Sequence, residues 1–490
     1  GVALRVRRVG RRWVQTLKTE GERQGGLSRR AEYEMPVAGD APDWMRFPPE
    51  ARGWVPEALR DALVPVFETR FHRTAWLLKG KGGAAIEVAL DVGEVRAGTA
   101  SQSICEIELE LKSGQPDALF ELALTWADAF DYLPLDVSKA ERGVRLAQGE
   151  TDTPVKSVAM QLDGGISVED GFAVIVQACL AQFQRNLPGV LGVFPLPQAG
   201  EGANVMPKPG PLPNPLPQTG EGANVMSKPV NEYVHQARVA LRRLRAALRL
   251  YRKACVLPDE LMDGLRTLVA ALGPARDWDV LLAETLPPMA PHCPDPDAWQ
   301  RGMQVLEAHR IDMRSAMQTA IRLGHPGAWL LAVQRWLLQS GWRAVPPAQR
   351  LIQLSPLEKW ACRALQKGHR RVARGARAFN KLEPAQRHAL RIAIKRQRYA
   401  AEFFQTLFGG NLGGHQRRQA RYLAALRDAQ DSLGRANDAQ VAWRLLAAVP
   451  AADAGPMRAF VLGWLAAQRE RAAGSGNAQV QAILKLKHAM

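Results

Sequence analysis

The sequence is short of cysteine, of long apolar runs and of acid. Only five of 490 residues are cysteine (Cys105, Cys179, Cys255, Cys293 and Cys362), an odd number, widely spaced. No CxxC or Cys/His ligand spacing occurs, which argues against a disulfide framework and against structural zinc. No run of about 18 uncharged apolar residues is present, so a helical membrane span is not expected. Acid is the scarce charge: 48 Asp and Glu against 65 Lys and Arg give a net +17. Such an excess points to a polyanionic partner, whether nucleic acid, an anionic membrane or polyphosphate. The chain opens with Gly1 rather than Met, inside an apolar/basic alternation, and so reads as lacking its start. No signal peptide is visible, and a reducing cytoplasm is the default location. What remains is an ordinary core-forming composition, 47% apolar and 23% charged. At roughly 100–200 residues per domain, the length suggests three domains or two large ones.

Residues 1–160 read mainly as strands. Val2, Leu4 and Val6 alternate with Ala3, Arg5 and Arg7, the period-2 pattern of a two-faced strand. Trp13–Lys18 follows a turn at Gly10-Arg-Arg, and residues 30–35, 86–91 and 104–112 alternate again. Helical pieces are expected at about 56–63 and 116–130. From about 167 the apolar period changes to 3.6, with stripes at 168–186, 231–253, 259–272, 298–318, 327–340, 355–378, 384–408, 415–433 and 454–472. A Pro/Gly-rich stretch, 188–229, interrupts them. Within it Pro195–Pro209 recurs at 215–229 with two changes, and the pair is too poor in apolar residues to bury a core. It is expected to be a disordered insert from a recent DNA-level repeat. A second repeat pairs His235–Arg243 with His388–Arg396, and Leu272–Val280 with Leu433–Val441, which suggests a duplicated helical bundle.

In the strand 106–112, Glu106, Glu108, Glu110 and Lys112 share one face, with carboxylates about 6.5–7 Å apart at successive positions. Arg5 and Arg7 share a face of the first strand, as do Arg30, Glu32 and Glu34 of theirs, and Glu87 and Asp91. One reading is an ordinary sheet with one wet face. The other is a closed antiparallel barrel with an ionic interior, where carboxylates hold Mg²⁺ or Mn²⁺ and cations clamp phosphate oxygens. That set suits metal-assisted attack on a polyphosphate.

In order along the chain, Ala3–Arg7, the strand ending at Lys18, Arg30–Glu34, Phe67–Arg73, Ala89–Gly93 and Glu106–Lys112 resemble the CYTH superfamily. These are the triphosphate tunnel metalloenzymes, which include inorganic triphosphatases, thiamine triphosphatases and class IV adenylate cyclases. The resemblance spans about residues 1–150. It implies an eight-stranded barrel, hydrolysis of inorganic triphosphate and a Mg²⁺ or Mn²⁺ cofactor. It implies Glu106, Glu108 and Lys18 as catalytic, and Glu106, Glu108 and Glu110 as metal ligands. It implies Arg5, Arg7, Arg70, Arg73 and Lys112 as substrate-binding. The family's Glu-x-Glu-x-Lys on the first strand is absent here, so the chain as given is expected to bind triphosphate yet hydrolyse it poorly or not at all.

His235, Arg238, Arg242 and Arg245 fall at i, i+3, i+7 and i+10, one helix face, and His388, Arg391, Lys395 and Arg398 repeat the spacing. Val239, Leu241, Leu244 and Leu248 can serve the core. Between Val234 and Lys253 stand seven Arg/Lys and no acid, so the stripe is not balanced within its own helix. It is either a solvated face paired to acids on neighbouring helices or an anion site, and two matching stripes each led by His favour the latter. Asp277 and Asp438 follow Leu-Gly pairs read as turns, and are expected to cap helices or to orient the basic side chains.

The His-x-x-Arg-x-x-x-[Arg/Lys] pattern at both places resembles the CHAD domain, and Ser167–Pro188 resembles its first helix. This resemblance covers about 165–490, places the 188–229 insert between the first and second helices, and implies binding of inorganic polyphosphate. Arg/Lys grooves bind such chains by charge and counterion release. Few aromatics accompany the stripe (Tyr251, Tyr399), which disfavours single-stranded nucleic acid. The fold expected is α+β multidomain: an antiparallel barrel missing its first strand, then an all-α duplicated helical bundle. The function expected is metal-dependent triphosphate hydrolysis coupled to polyphosphate binding. The alternative is a non-catalytic, granule-associated polyphosphate binder with an impaired barrel.

Overall fold

Period-2 alternation in the first third becomes antiparallel strands, and period-3.6 stripes in the rest become helices. This is a computed structural model, and it describes residues 2–193, 198–199, 223–408, 413–472 and 477–486. The chain divides into two compact units. One takes Gly1–Thr153 with Val193–Thr219; the other takes Pro154–Gly192 and continues from residue 220. The repeat expected to be disordered lies mostly outside the described residues. Among the described residues no helix is long and apolar enough to cross a membrane.

In the first unit, β1 (Ala3–Val9) and β2 (Arg12–Lys18) form a hairpin, followed by a small hairpin of β3 (Glu22–Gln24) and β4 (Leu27–Arg29). The first turn sits at Gly10, whose φ of 60° suits glycine. β5 (Glu32–Val37) pairs with β2, giving the order β1-β2-β5. Its apolar face buries Leu17 with Phe47 and Ala51, against Leu4, Tyr33, Met35, Trp44 and Val55. Phe47 and Ala51 come from the segment around the short helix α1 (Pro49–Arg52), which α2 (Glu57–Arg60) follows. Next comes a long meander, β6 (Glu68–Lys79), β7 (Ala85–Ala97) and β8 (Ala100–Ser113), to which the two-residue β9 (Gln198–Ala199) adds. Helices α3 (Asp117–Thr125) and α4 (Lys139–Ala147) complete the unit. The expected closed barrel is not seen. The strands form separate antiparallel sheets, and among the described residues no backbone ladder joins the β1-β2-β5 sheet to the meander. β1 has one partner, β2, and its other edge is unpaired in that sheet.

The helical unit comprises α5 (Val168–Leu191), α6 (Ala223–Tyr251), α7 (Asp259–Val280), α8 (Pro296–Leu323), α9 (Pro326–Leu338), α10 (Pro347–Gln353), α11 (Leu357–Arg377), α12 (Pro384–Phe403), α13 (Gly413–Ala448), α14 (Ala451–Ala472) and α15 (Asn477–Lys485). Ser167 and Asp170 close a capping box at the start of α5. The helix runs through Pro188, and Val190 and Leu191 beyond it are buried. Phe172 of α5 packs on Tyr251, Trp336 and Trp342. A second cluster gathers Trp278, Leu281, Leu306, Leu446, Val461 and Leu465. The Leu-Gly pairs expected as turns are helix interiors: Leu272-Gly273 lies in α7 and Leu433-Gly434 in α13. Burial of Leu272, Ala275 and Trp278 along α7 outweighs the helix penalty of one glycine, about 1 kcal/mol.

Candidate functional sites

Three strands of the meander bring charge to one point. Their register sets Arg73 beside Asp91 and Asp91 beside Glu106, with Ala89 beside Glu108 one step along the same face. Asp91 is fully buried. Arg73 grips it with two hydrogen bonds of 2.7 Å, and its Nη2 also lies 2.5 Å from Glu108 Oε2. From α4, Lys139 Nζ reaches Asp91 and Glu108, both at 2.7 Å, and also pairs with Glu106; Arg142 pairs with Glu106. Oxygens of Asp91, Glu106 and Glu108 all fall within 4.8 Å of one another. These are hard donors suited to a divalent cation, and three cationic side chains already converge on them.

The electrostatics follow from that crowding. Burial works against ionisation of Asp91, but the hydrogen bonds from Arg73 and Lys139 prevail and hold its carboxyl below the usual range. Glu108 is more open to solvent than Asp91; partial desolvation works against its ionisation, but Lys139 and Arg73 hold it low. Lys139 is raised: its burial is outweighed by Glu108, Asp91 and Glu106.

The β1-β2-β5 sheet carries a second ionic face. Arg7 pairs with Glu34 at 2.7 Å and Lys18 with Glu32 at 2.7 Å, while Thr16 donates to Glu34 at 3.2 Å. Arg5 is depressed by burial, then by Arg7, with Arg73 a further depressing charge. Lys18 is depressed by burial despite Glu32. The Nε groups of Arg5, Arg7 and Arg142 are buried without a hydrogen-bond partner. Unmatched donors of this kind suit an acceptor-rich anion such as a phosphate.

Not every residue named from the sequence joins this cluster. Glu110, 63% exposed, pairs with Lys112 at 2.7 Å, and Lys112 also reaches Glu87 at 3.3 Å. Arg70 falls on the opposite face of β6 from Arg73 and pairs with Glu68 at 2.9 Å. Three residues were not anticipated as site residues. In the sequence Asp91 shares a face with Glu87 and falls within the family-like Ala89–Gly93, with no site role assigned to it. Lys139 and Arg142 sit on α4, which the alternation did not suggest. A signal existed: Ser138 caps α4, its side chain accepting from Glu141 N, and Ser-x-x-Glu is a helix-start signature.

In the helical unit a pocket of about 290 Å³ is lined by His235, Arg238 and Arg242 of α6, Arg391 and Lys395 of α12, and Arg276 of α7. Asp277, Glu284, Asn437 and Asp438 also border it. Asp277 lies 3.6 Å from Arg238, Asn437 accepts from Arg391 at 3.1 Å, and Glu284 pairs with Arg276 at 2.7 Å. Asp277 and Asp438 are inside α7 and α13, so neither caps a helix. Gly273 leaves room for Arg238: a Cβ there would stand 3.2 Å from Arg238 Nη1, which donates to the Leu272 carbonyl at 3.3 Å.

Cations outnumber acids in the pocket, and the effect is plain at Lys395. Burial, then Arg242, Arg391, Arg238 and Arg398, bring its ammonium down to about 7. Burial and Arg276 lower His235, and burial lowers Arg238 and Arg391. The Nε groups of Arg242 and Arg391 are buried without partners. His388 and Arg245 are exposed and do not line the pocket. Arg398 turns to Glu402 at 2.7 Å and Gln430 at 3.0 Å.

Comparison with known proteins agrees with both halves. A CYTH domain model matches residues 1–144 and a CHAD domain model matches residues 220–447. An inorganic triphosphatase of Haemophilus influenzae is 37% identical over 148 residues, 30% of this chain and 41% of that protein. The chain thus spans 41% of the length of that curated relative. The crystal structure of the CHAD domain from the plant Ricinus communis matches with a TM-score of 0.52 and 27% identity, over 69% of this chain and 98% of that one. The chain joins a CYTH domain to a CHAD domain.

Proposed function

We propose that the CYTH unit hydrolyses inorganic triphosphate with Mg²⁺ or Mn²⁺, and that the CHAD unit binds inorganic polyphosphate. One observation carries the catalytic half: three carboxylates with oxygens within 4.8 Å of one another, ringed by Arg73, Lys139 and Arg142. The triphosphatase relative supports the same substrate. Asp91, Glu106 and Glu108 would hold the metal, which when bound neutralises phosphate charge and activates water. Arg5, Arg7, Arg73 and Arg142 would hold phosphate oxygens and stabilise the leaving phosphate, and Lys18 and Lys139 would add charge beside it. Arg238, Arg242, Arg276, Arg391 and Lys395 would take the polyphosphate chain. The setting is the cytoplasm. The test is phosphate release from triphosphate by the wild type and Asp91→Asn, with and without each metal. Release that ignores both metal and substitution overturns the catalytic half.

A second reading has its own observation. Arg73, Lys139 and Arg142 already neutralise the carboxylates, as in a site that holds its shape without a metal. In that reading the protein binds polyphosphate at granules and turns nothing over. Absence of metal-dependent release, with polyphosphate binding intact, favours it.

A further inference from the structure

The cationic stripe of α6 does not end at the pocket. Arg245 and Arg249 continue the spacing past Arg242, so one helix face is basic from His235 to Arg249, roughly 21 Å at 1.5 Å per residue, and Arg252 follows in the turn just after the helix. All three are exposed. Arg371 of α11 and Arg396 of α12 are exposed too, on helices that pack in the same unit. Arg396 is lowered by burial first, and then by Arg249, Arg371, Arg245 and Arg252. Those four guanidinium groups are therefore close enough to repel it, and no acid offsets them. Among the described residues none of the five forms an ion pair with a carboxylate; Arg252 donates to the Arg249 carbonyl at 3.3 Å. Exposed arginines on an ordinary surface are interspersed with acids, whereas here Arg396 feels the repulsion of four other guanidinium groups across three helices.

We propose that this outer cluster, Arg245, Arg249, Arg252, Arg371 and Arg396, is a second contact section for the same linear polyphosphate, taking the length that the pocket cannot enclose. The proposal rests on the reading of the pocket as a polyphosphate site. The five positions supply what a uniformly charged flexible chain needs, several guanidinium groups clustered across neighbouring helices. They do not supply what a single-stranded nucleic acid adds, an exposed aromatic platform: Tyr251 and Tyr399 are 0% and 3% exposed. The cluster makes the protein a length-sensitive binder, with short chains seeing the pocket and long chains both sections.

The experiment titrates the full chain, with a chelator present, against short-chain and long-chain polyphosphate over a range of salt. The outer triple variant is Arg245→Gln/Arg249→Gln/Arg371→Gln. The pocket variant is Arg238→Gln/Arg391→Gln, and the control is Arg301→Gln/Arg322→Gln. The outer variant should lose roughly tenfold or more in long-chain affinity, and its log–log salt slope should shrink by about 2, near 0.7 per phosphate contact. Its short-chain affinity should match the wild type. Arg→Lys at the same three positions should restore long-chain binding, which separates lost charge from lost fold. If the outer variant titrates like the control while the pocket variant loses both ligands, this inference fails and the pocket reading stands. A pocket variant that loses neither ligand overturns the pocket reading and this inference with it. Single-stranded DNA of equal charge that loses as much as polyphosphate on the outer variant overturns the assignment to polyphosphate.

Discussion

Lys139 Nζ lies 2.7 Å from Asp91 Oδ2, so the first residue of a nine-residue helix neutralises a carboxylate buried in the middle of a strand. A buried carboxylate costs several kcal/mol unless it is paired, of order 3–5 kcal/mol when one partner is removed. Asp91 has two such partners, Lys139 and Arg73, from two different elements. The helix and the sheet are thereby fixed to each other at the point where the proposed chemistry occurs.

Asp91→Asn and Glu108→Gln should each cut metal-dependent triphosphate hydrolysis by at least the roughly 10–100-fold that loss of a supporting ligand contact costs. Glu110→Gln should leave it unchanged, because Glu110 faces Lys112 and stands apart from the cluster. Phosphate release at saturating metal reads all three. A Glu110 variant as impaired as the Glu108 variant would move the metal along β8.

The position of α4 is open to test without touching a charged group. Ser138→Ala removes its cap and should cost about 1 kcal/mol of stability. Gly143→Ala should cost roughly 1–3 kcal/mol, since its Cβ would stand 2.2 Å from the Phe67 ring. Both displace Lys139 and Arg142, so KM for triphosphate should rise more than kcat falls. Thermal melts with steady-state kinetics check the pair. Normal KM in a destabilised Gly143 variant would detach α4 from substrate binding.

What was legible in the sequence follows from how local each signal is. The strand β8 and its Glu106/Glu108 face need only a period of 2, and the α6 and α12 stripes need only a period of 3.6; each is set within one element. Asp91 is different. Its neighbours Leu90 and Val92 mark a strand, but only the register against Arg73 and Glu106 shows which face it supplies. Lys139 depends on a helix packing onto that register. Arg276 belongs to the pocket through the crossing of α7 with α6, a tertiary fact. Arg70 shows the opposite failure: three residues from Arg73, it lies across the pleat, since an odd separation changes face. The Leu-Gly turns failed because burial along α7 overrode a weak local preference.

Glu169 anchors the start of α5. It accepts from Arg350 at 2.5 and 3.1 Å, Arg343 at 3.1 and 3.2 Å and Trp342 at 3.1 Å, and these contacts overcome its burial and lower its carboxyl to about 2. A folded value below the ordinary 4.5 means stability that is fully present above 4.5 and lost as pH falls toward about 2. Glu169→Gln should cost about 2 kcal/mol at pH 7, the scale of a charged hydrogen bond, and flatten the acid limb of the unfolding curve between those values. Denaturant melts from pH 2 to 7 measure it. An unchanged acid limb would assign that loss to other carboxylates.

Lys395 gives the pocket its pH dependence. Its folded value, about 7, lies below the ordinary 10.5, through burial and then Arg242, Arg391, Arg238 and Arg398. Between those values the unfolded chain holds a proton that the folded one has released, so the empty protein should gain stability as pH rises from about 7 to 10.5. A bound polyanion reverses the field. It should draw a proton onto Lys395, so affinity should fall as pH rises above neutrality, by at most about tenfold per pH unit for one linked proton. His235, lowered by burial and Arg276, takes up its proton at lower pH, and the arginines stay charged throughout. Asp277, Asp438 and Glu284 also face the pocket, and burial raises Asp438, so Asp438→Asn is the control. Polyphosphate titrations from pH 6.5 to 8.5 should show a slope in the wild type and in Asp438→Asn, and none in Lys395→Met. A slope that persists in Lys395→Met would place the linked proton elsewhere and leave Lys395 a spectator of the arginines around it.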